Sequence, residues 1–157
     1  MNNWFISNRD LIKNLCVNTG TSLSPTWTQI CTASEIAIDT DLEKKDFYVF
    51  CDSLQRKIIT GASVVLSGTI KLDVNNAGVI DLLGDVHSLI ASGTISQFNN
   101  KMIKFDLLTS VSSNVLTYTT YQAQATLSLS DLGGNAEDES EFGFEMTLIG
   151  TATVASS

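Results

Sequence analysis

The sequence predicts a mainly β domain, a β sandwich or barrel-like fold with one flanking α-helix over about residues 77–91. Two long stretches, Ala62–Val74 and Phe142–Val154, alternate between apolar and polar residues, and a period of two is typical of a half-buried strand. A third stretch, Leu107–Ser130, runs for 24 residues without a charge. At 157 residues the chain has the length of a single domain, residues 1–157, with its own core.

The alternating stretches place their large apolar residues on one face. Leu66 and Ile70 share a face in the first stretch, and Phe142, Phe144 and Met146 share a face in the second. We therefore expect both faces to point into the core. Further strands are predicted, in chain order, at Leu11–Asn18, Trp27–Ile38, Phe47–Cys51 and Lys101–Thr109.

One segment follows the 3.6-residue period of a helix. Its apolar positions are Val79, Leu82, Leu83, Val86 and Ile90. Asn75 or Asn76 can cap the start, and Gly93 lies just past the end. Because Gly84 inside the helix costs about 1 kcal/mol relative to Ala, we expect packing to hold this helix against one open side of the β fold.

The composition favours a protein that hides surface against other subunits. Charged residues make up 17% of the chain, compared with about 25% in typical domains. The net charge of −8 argues against binding nucleic acid through phosphate neutralisation, which needs clustered Lys and Arg. Cys16, Cys31 and Cys51 are odd in number and form no CxxC pair, so we expect free, buried thiols in a reducing compartment.

The uncharged stretch Leu107–Ser130 predicts a subunit interface. Ten of its residues are Ser or Thr, which excludes a membrane helix, and we expect no membrane partner. A strand that faces solvent normally carries charges that block edge pairing. Both faces of this strand are therefore expected to be covered, one by the core and one by another copy, with Thr117 and Thr119 at the contact.

The residues indicate no catalytic site, metal site or cofactor, and we expect no enzyme. His87 is the only histidine, and no GxSxG, P-loop, GxGxxG or HExxH motif occurs. Two alternatives remain open at this point. Glu35 and Glu145 could form the acid pair of a hydrolase, and Trp27, Tyr118 and Tyr121 could form the platform of a carbohydrate-binding or adhesive β sandwich.

The order of several features resembles a known family. A segment opened by a tryptophan, Trp27–Ile36, is followed by a charged segment, Asp39–Lys57, and then by the Gly61–Val74 strand with Gly68 inside it. The helix comes next. The chain ends with Gly134 to Glu137, the strand that carries Glu145, and Gly150–Thr151–Ala152. From about Leu11 to Val154, this order resembles the major tail tube proteins of long-tailed bacteriophages and phage-tail-like particles.

The resemblance implies a structural protein of the virion tail, made in the bacterial host cytoplasm. Its copies would form hexameric rings that stack into a hollow tube, through which DNA passes without specific binding. The tape measure, tail terminator and distal tail proteins would be partners. A tube subunit of a contractile tail, bacteriocin or type VI secretion system is a related alternative that the sequence leaves open.

The resemblance also assigns roles to segments and residues. Asp39–Lys57 would be a stacking loop that reaches the next ring, and Met1–Asp10 an N-terminal arm that bridges rings. The stacking loop would place these residues at subunit interfaces: Asp41, Glu43, Lys44, Lys45, Phe47, Tyr48 and Phe50. An acidic channel would repel DNA, and the candidates for its lining are Glu35, Asp39, Asp73 and Glu145.

Overall fold

The structure is a computed structural model that describes residues 5–49 and 52–154. Its strands are β1 (Ile12–Asn18), β2 (Trp27–Gln29), β3 (Ala33–Val49), β4 (Asp52–Lys71), β5 (Lys101–Ser112), β6 (Val115–Ser130), β7 (Glu141–Leu148) and β8 (Thr153–Val154). Its helices are α1 (Asn8–Leu11), α2 (Ala77–Ser92) and α3 (Ser96–Asn99). None of these helices has the length and apolar character needed to cross a membrane.

The strands form one antiparallel sheet in the order β2-β1-β5-β6-β7-β4-β3, with β8 paired to β6. Only residues 30–32 separate β2 from β3, although these strands lie at opposite edges of the sheet. Ile30 N donates to Leu15 O of β1 at 2.8 Å, and Lys71 N of β4 donates to Thr32 O at 3.0 Å. The chain thus transfers its hydrogen bonds from one edge of the sheet to the other. The sheet curls into a barrel, one of the two architectures, β sandwich or barrel-like, that the sequence predicted.

Alternating side chains from most strands of the barrel point into one core. Leu66, Ile70, Phe142, Phe144 and Met146 are all buried, which confirms the predicted inward faces where the two stretches form β4 and β7. The prediction is wrong at the last residue of each stretch, because Val74 and Val154 lie beyond these strands and are 77% and 68% exposed. The core also contains these buried residues: Leu15, Val17, Ile30, Val79, Leu82, Ile103, Phe105, Ala123, Ala125 and Leu127.

Helix α2 closes one end of the barrel, and its bounds confirm the prediction of a helix at about residues 77–91. Asn76 caps its start, because Oδ1 of Asn76 accepts hydrogen bonds from the backbone N–H groups of Gly78 and Val79. Gly93 ends the helix in the left-handed conformation, with φ of 66°. Val79 and Leu82 carry the buried apolar contact with the core.

A buried ion cluster fixes α2 to the first residue of β5. Lys101 Nζ lies 2.6 Å from Oδ2 of Asp81 and 2.9 Å from Oδ2 of Asp85. The side chains of Lys101 and Asp85 are 3% and 8% exposed. Because both carboxylates come from α2, one helical turn apart, the lysine holds the helix at a single depth and rotation over the sheet.

Two hairpins extend beyond the other end of the barrel. Strand β4 pairs with β7 only over Val65–Lys71, and from Asp52 to Val64 it pairs with β3 alone. At about 3.3 Å per residue this two-stranded extension, the charged ribbon (residues 39–49 and 52–64), is about 40 Å long. Residues 108–120 of β5 and β6 form a second extension, the uncharged ribbon, which leaves the barrel in the same direction.

Some predicted boundaries differ from those in the structure. Asp39–Lys57 projects, but as paired strands rather than as a loop, and Phe50 and Cys51 lie outside the described residues. The predicted strand Trp27–Ile38 is interrupted where the chain changes partners. Of the thiols predicted to be buried, Cys16 is half-buried and Cys31 is exposed.

Candidate assembly surfaces

The charged ribbon has two chemically different faces. On one face Asp39 and Asp41 lie opposite Val65 and Ser63 of β4, and Glu43 lies opposite Gly61. The other face continues the core outward through three cross-strand pairs, which are Ile38 with Leu66, Thr40 with Val64 and Leu42 with Ala62. Leu42 is 42% exposed, so this apolar face runs out of the barrel into solvent.

Cationic and apolar side chains are exposed further along the charged ribbon. Lys44, Lys45 and Lys57 are exposed, and Tyr48 is 71% exposed. Ile58 and Ile59 of β4 are also exposed. The predicted interface residues Asp41, Glu43, Lys44, Lys45 and Tyr48 therefore lie in solvent in the isolated chain, whereas Phe47 is half-buried and Phe50 lies outside the described residues.

Carboxylates from two strands, β3 and β7, gather on the outer face of the barrel, on either side of β4. Ser67 of β4 pairs with Ala37 on one side and with Glu145 of β7 on the other, and Glu35 and Asp39 lie two residues from Ala37 on β3. Since residues two apart in a strand share a face, these three acids point the same way. We name the carboxylate face by its members, Glu35, Asp39, Asp41, Glu43 and Glu145.

The structure thus brings together three of the four channel candidates and leaves out the fourth. Asp73 lies in the turn between β4 and α2, where its Oδ1 accepts a hydrogen bond of 2.9 Å from Asn75 N. It serves that turn and is not on the carboxylate face. Asp41 and Glu43 join the face although the sequence assigned them only to a stacking contact. The sequence did contain a signal for this, because Glu35, Asp39, Asp41 and Glu43 all have odd numbers, and residues two apart in a strand share a face.

The uncharged ribbon ends in a tight turn. Ser113 and Asn114, with φ of 50° and 65°, connect β5 to β6, as in the two-residue hairpins that favour positive φ at both central positions. Thr117 is exposed, whereas Thr119 is half-buried and its hydroxyl bonds to that of Thr109. Val115 at the tip is 62% exposed. The ribbon thus exposes neutral and apolar side chains to solvent.

An apolar cleft of about 620 Å³ opens between the two ribbons. None of the described residues that line it is charged, and they come from β3, β4, β5, β6, β7 and the β7–β8 connection. The lining residues are Ile38, Thr40, Ala62, Ser63, Val64, Phe105, Leu107, Tyr121, Leu148, Gly150, Thr151 and Ala152. The barrel is therefore closed by α2 at one end and open to solvent at the other.

The three aromatic residues considered for sugar binding do not form one platform. Tyr121 packs against Phe105, with ring centroids 5.8 Å apart. Tyr118, three residues away on the opposite face of β6, donates a hydrogen bond of 2.6 Å to Asp10 O. Trp27 lies near the α2 end of the barrel, with Lys104 Nζ 5.7 Å from its ring centroid. Each ring has a partner within the fold.

The predicted arm Met1–Asp10 is only partly described, because the structure begins at residue 5. Phe5 is 90% exposed and Ile6 is 41% exposed. The segment becomes attached to the barrel at α1, where Tyr118 bonds to Asp10 O. In the described part of the arm, Phe5 and Ile6 therefore precede the first anchored residue, at the ribbon end of the barrel.

Comparisons with known proteins match the fold but not the sequence. No protein-family model and no curated protein matches the chain. Among solved structures, the tail of an empty gene transfer agent particle, refined with C6 symmetry, has 13% identity and a TM-score of 0.57, over 97% of this chain and 100% of that one.

Two further structures are similar over most of the chain. The SPP1 tail tube has 9% identity and a TM-score of 0.59, over 94% of this chain and 80% of that one. The sheath–tube complex of an extracellular contractile injection system, PVC, in its extended state, has 11% identity and a TM-score of 0.55, over 97% and 94%. The chain therefore has a tail-tube-like fold, as the sequence predicted.

Proposed function

We propose that this protein is the structural subunit of a tail tube. Its copies associate side by side into rings, and the rings stack end to end around a central channel. The role is mechanical, and no chemical step is part of it. The protein would reside in the tail of a virion or phage-like particle after synthesis in the bacterial host cytoplasm.

The observation that carries this proposal is the pair of ribbons that leave the barrel in one direction. Within the described chain, the β4 half of the charged ribbon pairs with β3 alone, and β3 is an edge strand of 17 residues. Such an edge presents a row of free N–H and C=O groups that favours pairing with another chain. A monomer would gain nothing from these extensions, whereas an assembly can bury them.

Ring formation would bury the neutral surfaces. The uncharged ribbon exposes hydroxyls and valines without a single charge, so covering it requires no desolvation of ions. The C6 symmetry of the gene transfer agent tail supports six copies in each ring. Thr117 and Thr119 would lie at or beside this contact.

The carboxylate face would line the channel. Glu35, Asp39 and Glu145 share one outer face with Asp41 and Glu43, and six copies would repeat these charges around the axis. A wall of carboxylates repels phosphate, so DNA would pass without sticking. The tape measure protein would occupy the same channel, and the terminator and distal tail proteins would contact the two ends of the tube.

Stacking would use the charged ribbon. Its length of about 40 Å is enough to reach past the body of one copy and contact the next ring. Lys44, Lys45 and Tyr48 are exposed on this extension, and the arm that includes Phe5 and Ile6 leaves the barrel at the same end. Both segments would therefore bridge neighbouring rings.

Electron microscopy and sedimentation velocity of the purified chain at rising concentration test the proposal. We expect hollow tubes with six-fold end views, in equilibrium with rings or monomers. A chain that stays monomeric at every concentration and ionic strength would overturn it.

A tube inside a contractile sheath is the second candidate, favoured by the similarity to the PVC sheath–tube complex. The two forms differ in whether the outside of the tube binds a sheath. Co-sedimentation of preformed tubes with a sheath protein encoded nearby would distinguish them, since a non-contractile tail needs no such protein.

A further inference from the structure

We propose that the loop between β1 and β2, residues 19–26, inserts its tip into the apolar cleft of the next copy along the tube. Leu23 is the anchor of this contact. The inference rests on the proposed function and specifies how successive rings recognise each other.

The loop presents Leu23 in a fixed position. Asn18 holds both of its ends, because Oδ1 of Asn18 accepts hydrogen bonds of 2.9 Å from Gly20 N and from Thr26 N. Its amide Nδ2 donates to Thr21 O at 3.0 Å. A loop ordered by its own side chains loses little freedom on binding, so it is suited to recognition.

Leu23 contributes almost nothing to the packing of the described chain. It is 98% exposed, at the tip of a loop whose hydrogen bonds involve polar side chains and backbone. Single exposed leucines are common on protein surfaces. A leucine raised on a rigid, uncharged loop is different, because burial against a partner would remove nearly all of its apolar surface from water.

The loop and the cleft lie at opposite ends of the barrel. In the antiparallel sheet the β1–β2 and β6–β7 loops lie at the α2 end, whereas the two ribbons and the β7–β8 connection lie at the other. A contact between such unlike ends is heterologous, and it propagates as an open stack rather than closing on itself. That is the geometry that a tube requires.

The chemistry of the loop also matches the cleft. From Val17 to Ser34 the chain has no charged residue, and none lines the cleft. The β6–β7 loop at the same end carries Glu137, Asp138 and Glu139. Placing those carboxylates in an apolar cleft would cost their hydration, so of these two loops only the β1–β2 loop fits.

Assembly of Leu23→Asp tests the inference, with Leu132→Asp as the matched control. Leu132 is 43% exposed in the β6–β7 loop at the same end. We expect Leu23→Asp to form rings but to need at least about tenfold more protein for tubes, whereas Leu132→Asp assembles like the wild type. Equal assembly of the two variants, with normal tubes from each, would overturn the inference and leave the proposed function standing.

Crosslinking between copies identifies what occupies the cleft. In a background with Cys16, Cys31 and Cys51 replaced by Ser, chains with Leu23→Cys are mixed with chains carrying Ala62→Cys, co-assembled and oxidised by dioxygen with a copper catalyst. We expect a disulfide dimer only in the assembled fraction. A second mixture combines Phe5→Cys chains with Ala62→Cys chains. If the dimer forms in this mixture and not in the first, the N-terminal arm occupies the cleft and Leu23 does not. Failure of the wild-type chain to polymerise would reject the proposed function itself.

Discussion

The backbone carbonyl of Glu35 occupies the space that a side chain on Gly68 would need. A Cβ built on Gly68 would overlap this carbonyl and would lie 3.1 Å from the Cα of Ile36. The close approach occurs at a register shift between Ala33 and Glu35, where β3 has one extra residue relative to β4. Glycine is required here because two backbones meet, and its conformational freedom is not the reason.

We predict that Gly68→Ala destabilises the fold by about 3 kcal/mol or more. The overlapping atoms belong to the backbone, which cannot rotate away as a side chain can, so the cost lies at the upper end of overpacking penalties. Urea unfolding followed by circular dichroism measures it.

Gly84→Ala is the matched control for this substitution. Gly84 lies inside α2, and a Cβ there has nothing within 4 Å, so alanine should stabilise the helix by about 1 kcal/mol. A stable Gly68→Ala protein would mean that β3 and β4 are less closely packed than the structure shows.

Lys101→Met should cost about 3–5 kcal/mol, because it leaves the buried carboxylate of Asp85 without its cation. Lys71→Met provides the comparison. Lys71 lies 3.7 Å from Glu139, with side chains 53% and 87% exposed, and such a pair contributes less than about 1 kcal/mol. Similar losses in both variants, measured by urea unfolding, would contradict the role assigned to the ion cluster.

Stability should respond to the protonation of Asp85. Burial raises the pKa of this carboxyl above its ordinary value of 3.8, despite the opposing effect of Lys101. The folded state therefore binds this proton more readily than the unfolded state. The stability that Asp85 contributes is complete below pH 3.8 and is lost as the pH rises through the folded-state pKa.

Comparison with Asp85→Asn reports this dependence, since the carboxyl groups outside the ion cluster of Lys101, Asp81 and Asp85 affect both proteins alike. As the pH falls from neutrality towards 3.8, the free energy of unfolding of the wild type should rise relative to that of the variant. A constant difference across this range would show that Asp85 titrates as an ordinary aspartate.

A charge on the uncharged ribbon should block assembly without unfolding the chain. Thr117→Lys places an ammonium on an exposed position, and burying it between copies without a partner should raise the concentration for assembly at least about tenfold. Thr119→Lys should act similarly and also lose the bond to Thr109. Ser88→Lys on the exposed side of α2 is the control, and light scattering reports assembly. Normal assembly of both ribbon variants would remove this ribbon from the interface.

Reversal of charge on the carboxylate face should trap DNA. Tubes assembled from the triple variant Glu35→Lys, Asp39→Lys and Glu145→Lys in the presence of short DNA should retain it in nuclease-resistant form. The retention should fall steeply as salt increases, as counterion release requires. The control reverses Glu137, Asp138 and Glu139 instead, with the same change in charge. If the DNA bound to both kinds of variant tube remained sensitive to nuclease, the carboxylate face would lie outside the channel.

The sequence predicted those elements whose residues repeat with a clear period. The alternation of Phe142, Phe144 and Met146 and the spacing of Val79 and Leu82 depend on neighbours along the chain, so their burial could be inferred directly. The helix bounds and the Asn76 cap follow from the same local chemistry.

The remaining features depend on contacts between distant segments. The change of partner at Ile30–Thr32 leaves no local signal, because no turn or bend separates the residue bonded to β1 from the residue bonded to β4. The charged ribbon was predicted as a loop because its many charged residues are typical of loops, whereas the structure shows two paired strands. The carboxylate face depends on the register between three strands, β3, β4 and β7. The cleft is formed where the ends of five strands, β3 to β7, come together. Neither arrangement can be inferred from one segment of the sequence.

The difference between the two ends of the barrel gives any column of these subunits a direction. One terminus of such a column exposes protruding hairpins and empty clefts, and the other exposes helices and unoccupied loop tips. A single stopper cannot fit both termini. In the proposed tube, initiation and length control would therefore use two chemically distinct capping factors, and growth at the two termini would proceed at different speeds.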